Sequence, residues 1–273
     1  MNIVNKTKKY TIVEVHGIKF ALLNNDQGIS EEILNRGSHE PFATELMVKH
    51  VLRPGMQILD IGANIGWFAF HEAANIGKKG FVYAIEPIAD NVDAIKRGIK
   101  ENNFKNMQVF ECAIGNKNGE QEIKIMKFSN NASMFNMEKA SDLYKFHAGN
   151  WQIGTTIVPT MTLDYFVEQN EIEKIDMLRM DVEGFEVEII EGAQKTLEEM
   201  PRNSYIFLEI HPIVFSDVEE KFIPAIETLL DFGFNPKYVE KIDIDFPKGR
   251  DFLKSDILRG SMHCPRVFFI KEG

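Results

Sequence analysis

Cysteine is almost missing from this chain: among 273 residues only Cys112 and Cys264 carry a thiol. One pair so widely separated gives neither a disulfide framework nor a metal-ligand spacing, and both read as reduced thiols of a cytoplasmic protein. Long apolar runs are missing too, and none approaches the roughly 20 residues that cross a bilayer. The stretch from Met1 to Lys9 carries charge with no apolar core behind it, so no secretory leader is expected. Positive charge is in short supply: 31 Lys and Arg face 41 Asp and Glu, for a formal net charge of −10 and a pI near 5.3. That field repels a phosphate backbone and argues against a nucleic-acid partner. What is present is an ordinary globular composition, 44% hydrophobic and 26% charged, on a chain long enough to bury a full core.

A glycine is also missing where a dinucleotide-binding turn needs one. Gln57 to Ile61 is a short apolar run that reads as a buried strand, with the acid Asp60 near its tip. The turn Gly62-Ala63-Asn64-Ile65-Gly66 follows, and a helical pattern begins at Trp67. Strand, glycine turn and helix bring a cofactor close to main chain at the carboxyl end of a parallel sheet. Gly62 and Gly66 let backbone approach a ligand with no Cβ in the way. Asn64, however, stands in place of the fingerprint's second glycine, and the Asp60 carboxylate would repel a pyrophosphate. A cofactor with a positive centre and no phosphate suits this turn better, and S-adenosylmethionine is such a cofactor. The rivals are an NAD(P)-dependent oxidoreductase on the same kind of sheet and a non-catalytic small-molecule binder.

Periodicity orders the rest. Tyr10 to Val15 and Ile18 to Leu23 alternate around His16-Gly17 and predict a β-hairpin. Residues 28 to 39 read as a loop or short helix, and Pro41 to Leu52 as a helix stopped by Arg53-Pro54-Gly55. After the first strand and helix come a strand at Phe81 to Ile85, a helix at Ala89 to Asn102 and a strand at Met107 to Ile114. A strand is expected at Glu122 to Phe128. The rhythm then breaks from Ser129 to Thr155, a segment expected to line the acceptor side as a binding loop. Helices are predicted at Leu163 to Gln169, Glu186 to Glu199 and Glu219 to Phe232, and strands at Ile175 to Met180, Tyr205 to Ile210 and Val267 to Ile270. Such alternation implies a mostly parallel α/β sheet with helices on both faces. The expected division is an N-terminal hairpin extension, residues 1–37, ahead of one domain, residues 38–273, carrying the insertion at 129–155.

Chemistry gathers at the predicted strand tips. Glu86-Pro87 ends the second strand, where an acid can accept both ribose hydroxyls and the proline fixes the turn; the plain alternative is a helix cap. Cys112-Ala113-Ile114 would lie beside an adenine as packing surface. Asp181 and Glu183 leave the sheet ahead of Gly184 and suit a substrate, the cofactor's ammonium group or a divalent ion; as a bland alternative, both favour a helix N-terminus. Glu209 and His211 lie two apart at one strand tip, so their side chains share a face. They suit proton removal from a hydroxyl, or a metal with Asp181 as third ligand, and the residues alone leave both open.

Asp60-Ile61-Gly62-Ala63-Asn64-Ile65-Gly66, Glu86-Pro87, Thr162-Leu163-Asp164, Asp181-Val182-Glu183-Gly184 and Glu209-Ile210-His211 together resemble the motif series of FkbM-type S-adenosylmethionine methyltransferases. His39-Glu40-Pro41 is similar to the acid-proline step upstream in that family, and Arg179 stands where the family commonly has lysine. The resemblance spans residues 38 to 212. It implies a Rossmann-like class I methyltransferase sheet ordered 3-2-1-4-5-7-6 and O-methylation of a small-molecule or carbohydrate hydroxyl. It also implies a cofactor side made by Glu40, Asp60, Gly62, Ala63, Asn64, Gly66, Glu86, Pro87, Ala113 and Asp181, with His211 and Asp181 doing the catalysis. Asp181, Glu209 and His211 would be the ligands of any metal. No family motif matches before residue 25 or after residue 213, so the acceptor's identity lies outside the resemblance.

Overall fold

Hydrophobic alternation on the central strands sets the architecture. The computed structural model describes residues 1–126, 141, 152–240, 246–259 and 264–272. At its centre β4 (Gln57–Ile61), β5 (Phe81–Ile85) and β6 (Met107–Phe110) run parallel, and β10 (Met177–Met180) and β11 (Tyr205–Glu209) extend the parallel array on the other side of β4. β13 (Arg266–Lys271) runs antiparallel to β11 and to the edge strand β12 (Phe234–Val239), giving the order β12-β13-β11-β10-β4-β5-β6. Counting strands from β4, this is the 3-2-1-4-5-7-6 order that the resemblance implied.

Each central strand is buried on both faces. Leu59, Ile61, Leu178, Met180, Ile206 and Leu208 belong to one apolar cluster, while Ile58, Met177 and Phe207 belong to the other. Between the strands run helices expected from their 3.6-residue pattern: α3 (Trp67–Ile76), α4 (Ala89–Asn102), α5 (Leu163–Gln169) and the pair α6 (Glu186–Glu191) and α7 (Gln194–Glu199). Before them come α1 (Ile29–Arg36) and α2 (Pro41–Leu46), the latter continuing as a π-helical turn over Met47–Val51. After β11 come α8 (Val218–Lys221) and α9 (Ile223–Asp231).

The N-terminal hairpin is the pair β2 (Tyr10–Val15) and β3 (Ile18–Leu23), to which β1 (Asn2–Lys6) adds a third, exposed strand. It packs into the main core: Phe20 stacks on Trp67 of α3 with centroids 4.8 Å apart, and Val13, Phe20 and Leu22 share a cluster with Ile58 and Phe68. A further three-stranded sheet, ordered β7-β9-β8, is built from β7 (Ala113–Gly115), β8 (Gly119–Met126) and β9 (Gln152–Thr162).

Four expectations are corrected. The single strand predicted over Met107 to Ile114 is two, because the chain leaves the main sheet at Glu111-Cys112 and β7 pairs with β9 instead. The helix predicted over Glu186 to Glu199 breaks at Gly192-Ala193, where a Cβ on Gly192 would come 2.1 Å from the Gly115 carbonyl oxygen. The helix predicted over Glu219 to Phe232 is likewise two, divided at Phe222. Gln152 to Thr155, expected to be irregular, opens β9; residues 127–140 and 142–151 of the expected acceptor-side segment lie outside the described residues. No helix among the described residues is long and apolar enough to cross a membrane.

Candidate active site

Strand register places the first pair of charges. Arg179 of β10 lies directly opposite Asp60 of β4, and both face the cluster that contains Phe68 and Phe207. Asp60 is wholly buried, and its Oδ1 accepts a hydrogen bond of 2.7 Å from Arg179 Nη1. Arg179 Nη2 donates to Asp181 Oδ2 at 2.6 Å, and its guanidinium lies 4.1 Å above the Phe68 ring. A buried cation is thus clamped between two carboxylates and an aromatic face, which compensates its desolvation. Asp60 holds this clamp and lines neither of the two cavities described below.

The turn after β4 is fixed by backbone geometry. Gly62 has φ +82°, and a Cβ there would meet the Asp181 carbonyl oxygen at 2.0 Å, so the glycine lets two strand tips touch. Gly62 and Ala63 donate their N–H groups to the Ile85 carbonyl, and Asn64, itself left-handed at φ 50°, donates its N–H to Glu86 Oε2 at 2.8 Å. Glu86 Oε1 accepts from Ile88 N at 2.9 Å and Asn91 Nδ2 at 3.2 Å. Burial pushes the Glu86 carboxyl up to about 7, against these hydrogen bonds. Gly66 caps α3 at φ 89° and, like Asp60, supports the turn without lining either cavity.

Two cavities flank this turn. The first is walled by Ile85, Cys112, Ala113, Ile114 and Ile123 and carries Glu86, Pro87, Asn91, Asp181 and Glu183. The second is lined by Trp67 and Phe68 and by His39, Glu40, Arg179, Asp181, Glu183, Glu209 and Arg266. Gly62, Asn64, Asp181 and Glu183 belong to both, so one elongated ligand can pass over the turn.

Charges around the second cavity form a network. Arg266, opposite Glu209 in the β11–β13 register, donates to Glu209 Oε1 at 2.8 Å and to Glu240 Oε2 at 2.9 Å, and also pairs with Glu40. His39 contacts Glu32 at 2.6 Å and Glu40 at 3.3 Å; burial opposes its charge, but these two acids lift it to about 9. Burial also opposes ionisation of Asp181, yet Arg179 and His211 hold its carboxyl below the usual range. Burial pushes Glu183 up to about 8, and burial with the Asp181 charge raises Glu209 well above the carboxylate range.

His211 is 3% exposed and lines neither cavity. Its Nδ1 lies 2.9 Å from Glu186 Oε1, and its Nε2 lies 3.7 Å from Glu183 Oε2 and 3.9 Å from Glu209 Oε1. Burial disfavours its charge, but Glu186 and Glu183 outweigh burial and hold it well above an ordinary histidine. The structure therefore brings Glu40, Gly62, Ala63, Asn64, Glu86, Pro87, Ala113 and Asp181 to the cavity walls and leaves Asp60, Gly66 and His211 behind them. As possible metal ligands, Asp181 and His211 group with Glu183, whereas Glu209 groups with His211 and Cys264 or with Glu40 and Asp181. Arg266 and Glu186 escaped the sequence reading. Glu186 passes for a first-turn helix acid, and Arg266 lies beyond the last motif; the only signal was the acid spacing 181, 183, 186.

The cavities suit a nucleoside with a cationic tail. Aliphatic walls accommodate a flat base, the buried Glu86 can accept hydroxyls, and among the described residues no lysine or arginine lines the first cavity to hold a pyrophosphate. That counts against a nicotinamide dinucleotide. Comparison with known proteins agrees. The chain is 28% identical over 212 residues to 2-O-methyltransferase NoeI of Sinorhizobium fredii, covering 76% of this chain and 79% of that protein. Its fold matches the crystal structure of methyltransferase FkbM from Methylobacillus flagellatus with a TM-score of 0.50 at 13% identity, over 80% of this chain. This chain covers 44% of that longer protein. The profile of the methyltransferase FkbM domain matches residues 60–236, well over half of the chain. The chain therefore belongs to the FkbM methyltransferase family, enzymes whose methyl donor is S-adenosylmethionine.

Proposed function

We propose that the enzyme methylates a hydroxyl oxygen of a sugar-like acceptor, with the base and ribose of S-adenosylmethionine in the first cavity and the acceptor reached through the second. The observation that carries this reading is the presence of Asp181 and Glu183 in the walls of both cavities, beside the glycine turn. In this reading Glu86 accepts the ribose hydroxyls, and Ala113 and Ile114 pack on the base. Glu40 and Asp181 face the positive groups of the methionine part. When bound, the cofactor supplies a methyl group on a positively charged sulfur, which departs as a neutral sulfide. The protein's share is alignment of the acceptor oxygen and removal of its proton.

Asp181, kept ionised by Arg179, accepts a hydrogen bond from the acceptor hydroxyl and fixes its direction. Glu183, raised to about 8, is matched to taking up the hydroxyl proton near neutral pH and lies on the cavity wall, which His211 does not. The 2-O-methyltransferase activity named for the relative at 28% identity supports oxygen as the acceptor atom.

The test is a panel of hydroxylated acceptors (monosaccharides, oligosaccharides, phenols) alongside amines and thiols, each incubated with methyl-labelled S-adenosylmethionine. Label on a sugar oxygen, matched by S-adenosylhomocysteine, is the expected result. Transfer confined to nitrogen or sulfur acceptors would overturn the reading.

A further inference from the structure

The turn between β10 and α6 carries a conformational oddity. Glu183, a residue with a long side chain, adopts φ 53° and is followed by Gly184 at φ 96°. Consecutive left-handed residues hold together only where their surroundings over-determine them. The fully buried Glu186 is what surrounds them: its Oε1 accepts from Val182 N and Gly184 N, each at 3.4 Å, and faces His211 Nδ1 at 2.9 Å. The same carboxylate oxygen thus grips the turn and the imidazole. An acid that merely favoured a helix N-terminus would serve as well in solvent, and α6 already has Glu188 in its first turn for that purpose.

We infer that Glu186 and His211 form a buried positioning pair: Glu186 sets the ring and charge of His211, and His211 presents Nε2 to Glu183 so that Glu183 stands ready to take the acceptor's proton. The inference rests on the reading of Glu183 as the base. It follows the logic of a carboxylate that orients an imidazole and stabilises its charged form, with the imidazole here one step removed from the reacting oxygen. Around His211 stand Glu186 from α6, Glu183 from the turn, Glu209 from the end of β11 and Cys264 from the segment before β13. Around Glu183 stand His211, Asp181, Glu186 and Glu40. Within that set, burial raises Glu183 and the His211 charge works against the rise, so losing His211 pushes Glu183 further up.

Three variants test the pair, with Glu183→Gln as the control for the base. His211→Gln should lower kcat at least tenfold, leave the dissociation constant for S-adenosylhomocysteine within about twofold, and move the ascending limb of the pH–rate profile to higher pH. Glu186→Gln should bring the His211 titration, followed by NMR of the imidazole, down towards the ordinary histidine range. The double variant should be no slower than His211→Gln alone, because the two act as one unit. Should Glu186→Gln not fold, His211→Gln still decides, since it leaves the Glu186 bonds to Val182 and Gly184 in place. A His211→Gln enzyme with unchanged kcat and pH profile, beside a slow Glu183→Gln enzyme, would overturn the pair while sparing the base. Glu183→Gln at full turnover would instead remove the base, and the pair with it.

Discussion

The two cavities differ in almost everything except the residues they share. The first recognises by shape, with aliphatic walls and, beside the shared Asp181 and Glu183, an acid of its own, Glu86, whose oxygens already accept three protein hydrogen bonds. The second recognises by charge, with guanidinium, imidazole and carboxylate groups neutralising one another beside two aromatic rings. A shape-based site tolerates changes of salt, and its pH dependence narrows to one carboxyl. A charge-based site depends on each partner staying in place, because one removal strands a buried ion. The backbone of Gly62 to Asn64 is the partition between them, so damage there should affect both.

Loss of the buried cation should have the largest effect. Arg179→Met leaves Asp60 and Asp181 facing each other without a counter-charge, and should cost about 3–5 kcal/mol of stability, the range for breaking a buried pair. Urea denaturation measures it, and a loss under 1 kcal/mol would mean that the charge on this side is not structural. Gly62→Ala attacks the partition itself: a side chain at φ +82° and 2.0 Å from the Asp181 carbonyl should cost about 2–4 kcal/mol and abolish cofactor binding. Calorimetry with S-adenosylhomocysteine would show intact affinity if the turn could rebuild.

Glu86→Gln touches only the shape-based side. It should weaken cofactor binding by about 1.5–3 kcal/mol, the range for hydrogen bonds to a charged group. Because the wild-type carboxyl sits at about 7 in the fold, wild-type affinity should rise between pH 6 and 8, whereas that of the variant should stay flat. The same raised group works against stability. The folded state binds more protons than the unfolded between the ordinary carboxylate range and about 7 for Glu86, or about 8 for Glu183, so stability falls as pH rises through that window.

Glu72 on α3 should give the smallest effect. It is wholly buried, neither oxygen has a hydrogen-bond partner among the described residues, and burial together with the Asp60 charge holds it well above the carboxylate range. Glu72→Met should be neutral or stabilising by about 1 kcal/mol at pH 7, and should flatten the alkaline loss in denaturant titrations from pH 6 to 9. A destabilised variant would show that the acid is needed where it lies.

The strand tips were legible in the sequence because short apolar runs ending in acids and glycines follow a simple period. β4, β5, α4 and α5 appear at the predicted residues for that reason. β12 was missed because Pro236 argues against a strand, which only an edge position tolerates. β1 was missed because all its residues are exposed and supply no hydrophobic contrast. In the site, Glu86 and Asp181 stood out by position, whereas the partners that set their charge state did not. Arg179 pairs with Asp60 across 119 residues and His211 with Glu186 across 25, and neither contact leaves a local pattern. His211 drew attention as a histidine at a strand tip, but its burial behind Glu183 is a property of packing.

Arg266 reaches Glu40 across 226 residues, and its strand, β13, sits inside the sheet between β11 and β12. A nascent chain therefore cannot assemble the charged cavity until residues 266–271 have left the ribosome. Until then the slot between β11 and β12 stays open, with two unpaired strand edges that other chains can occupy. Such a long-range closure also makes folding slow for a chain of this size. Competence for methyl transfer thus waits on β13, and the interval before its arrival is when the two open strand edges are most exposed.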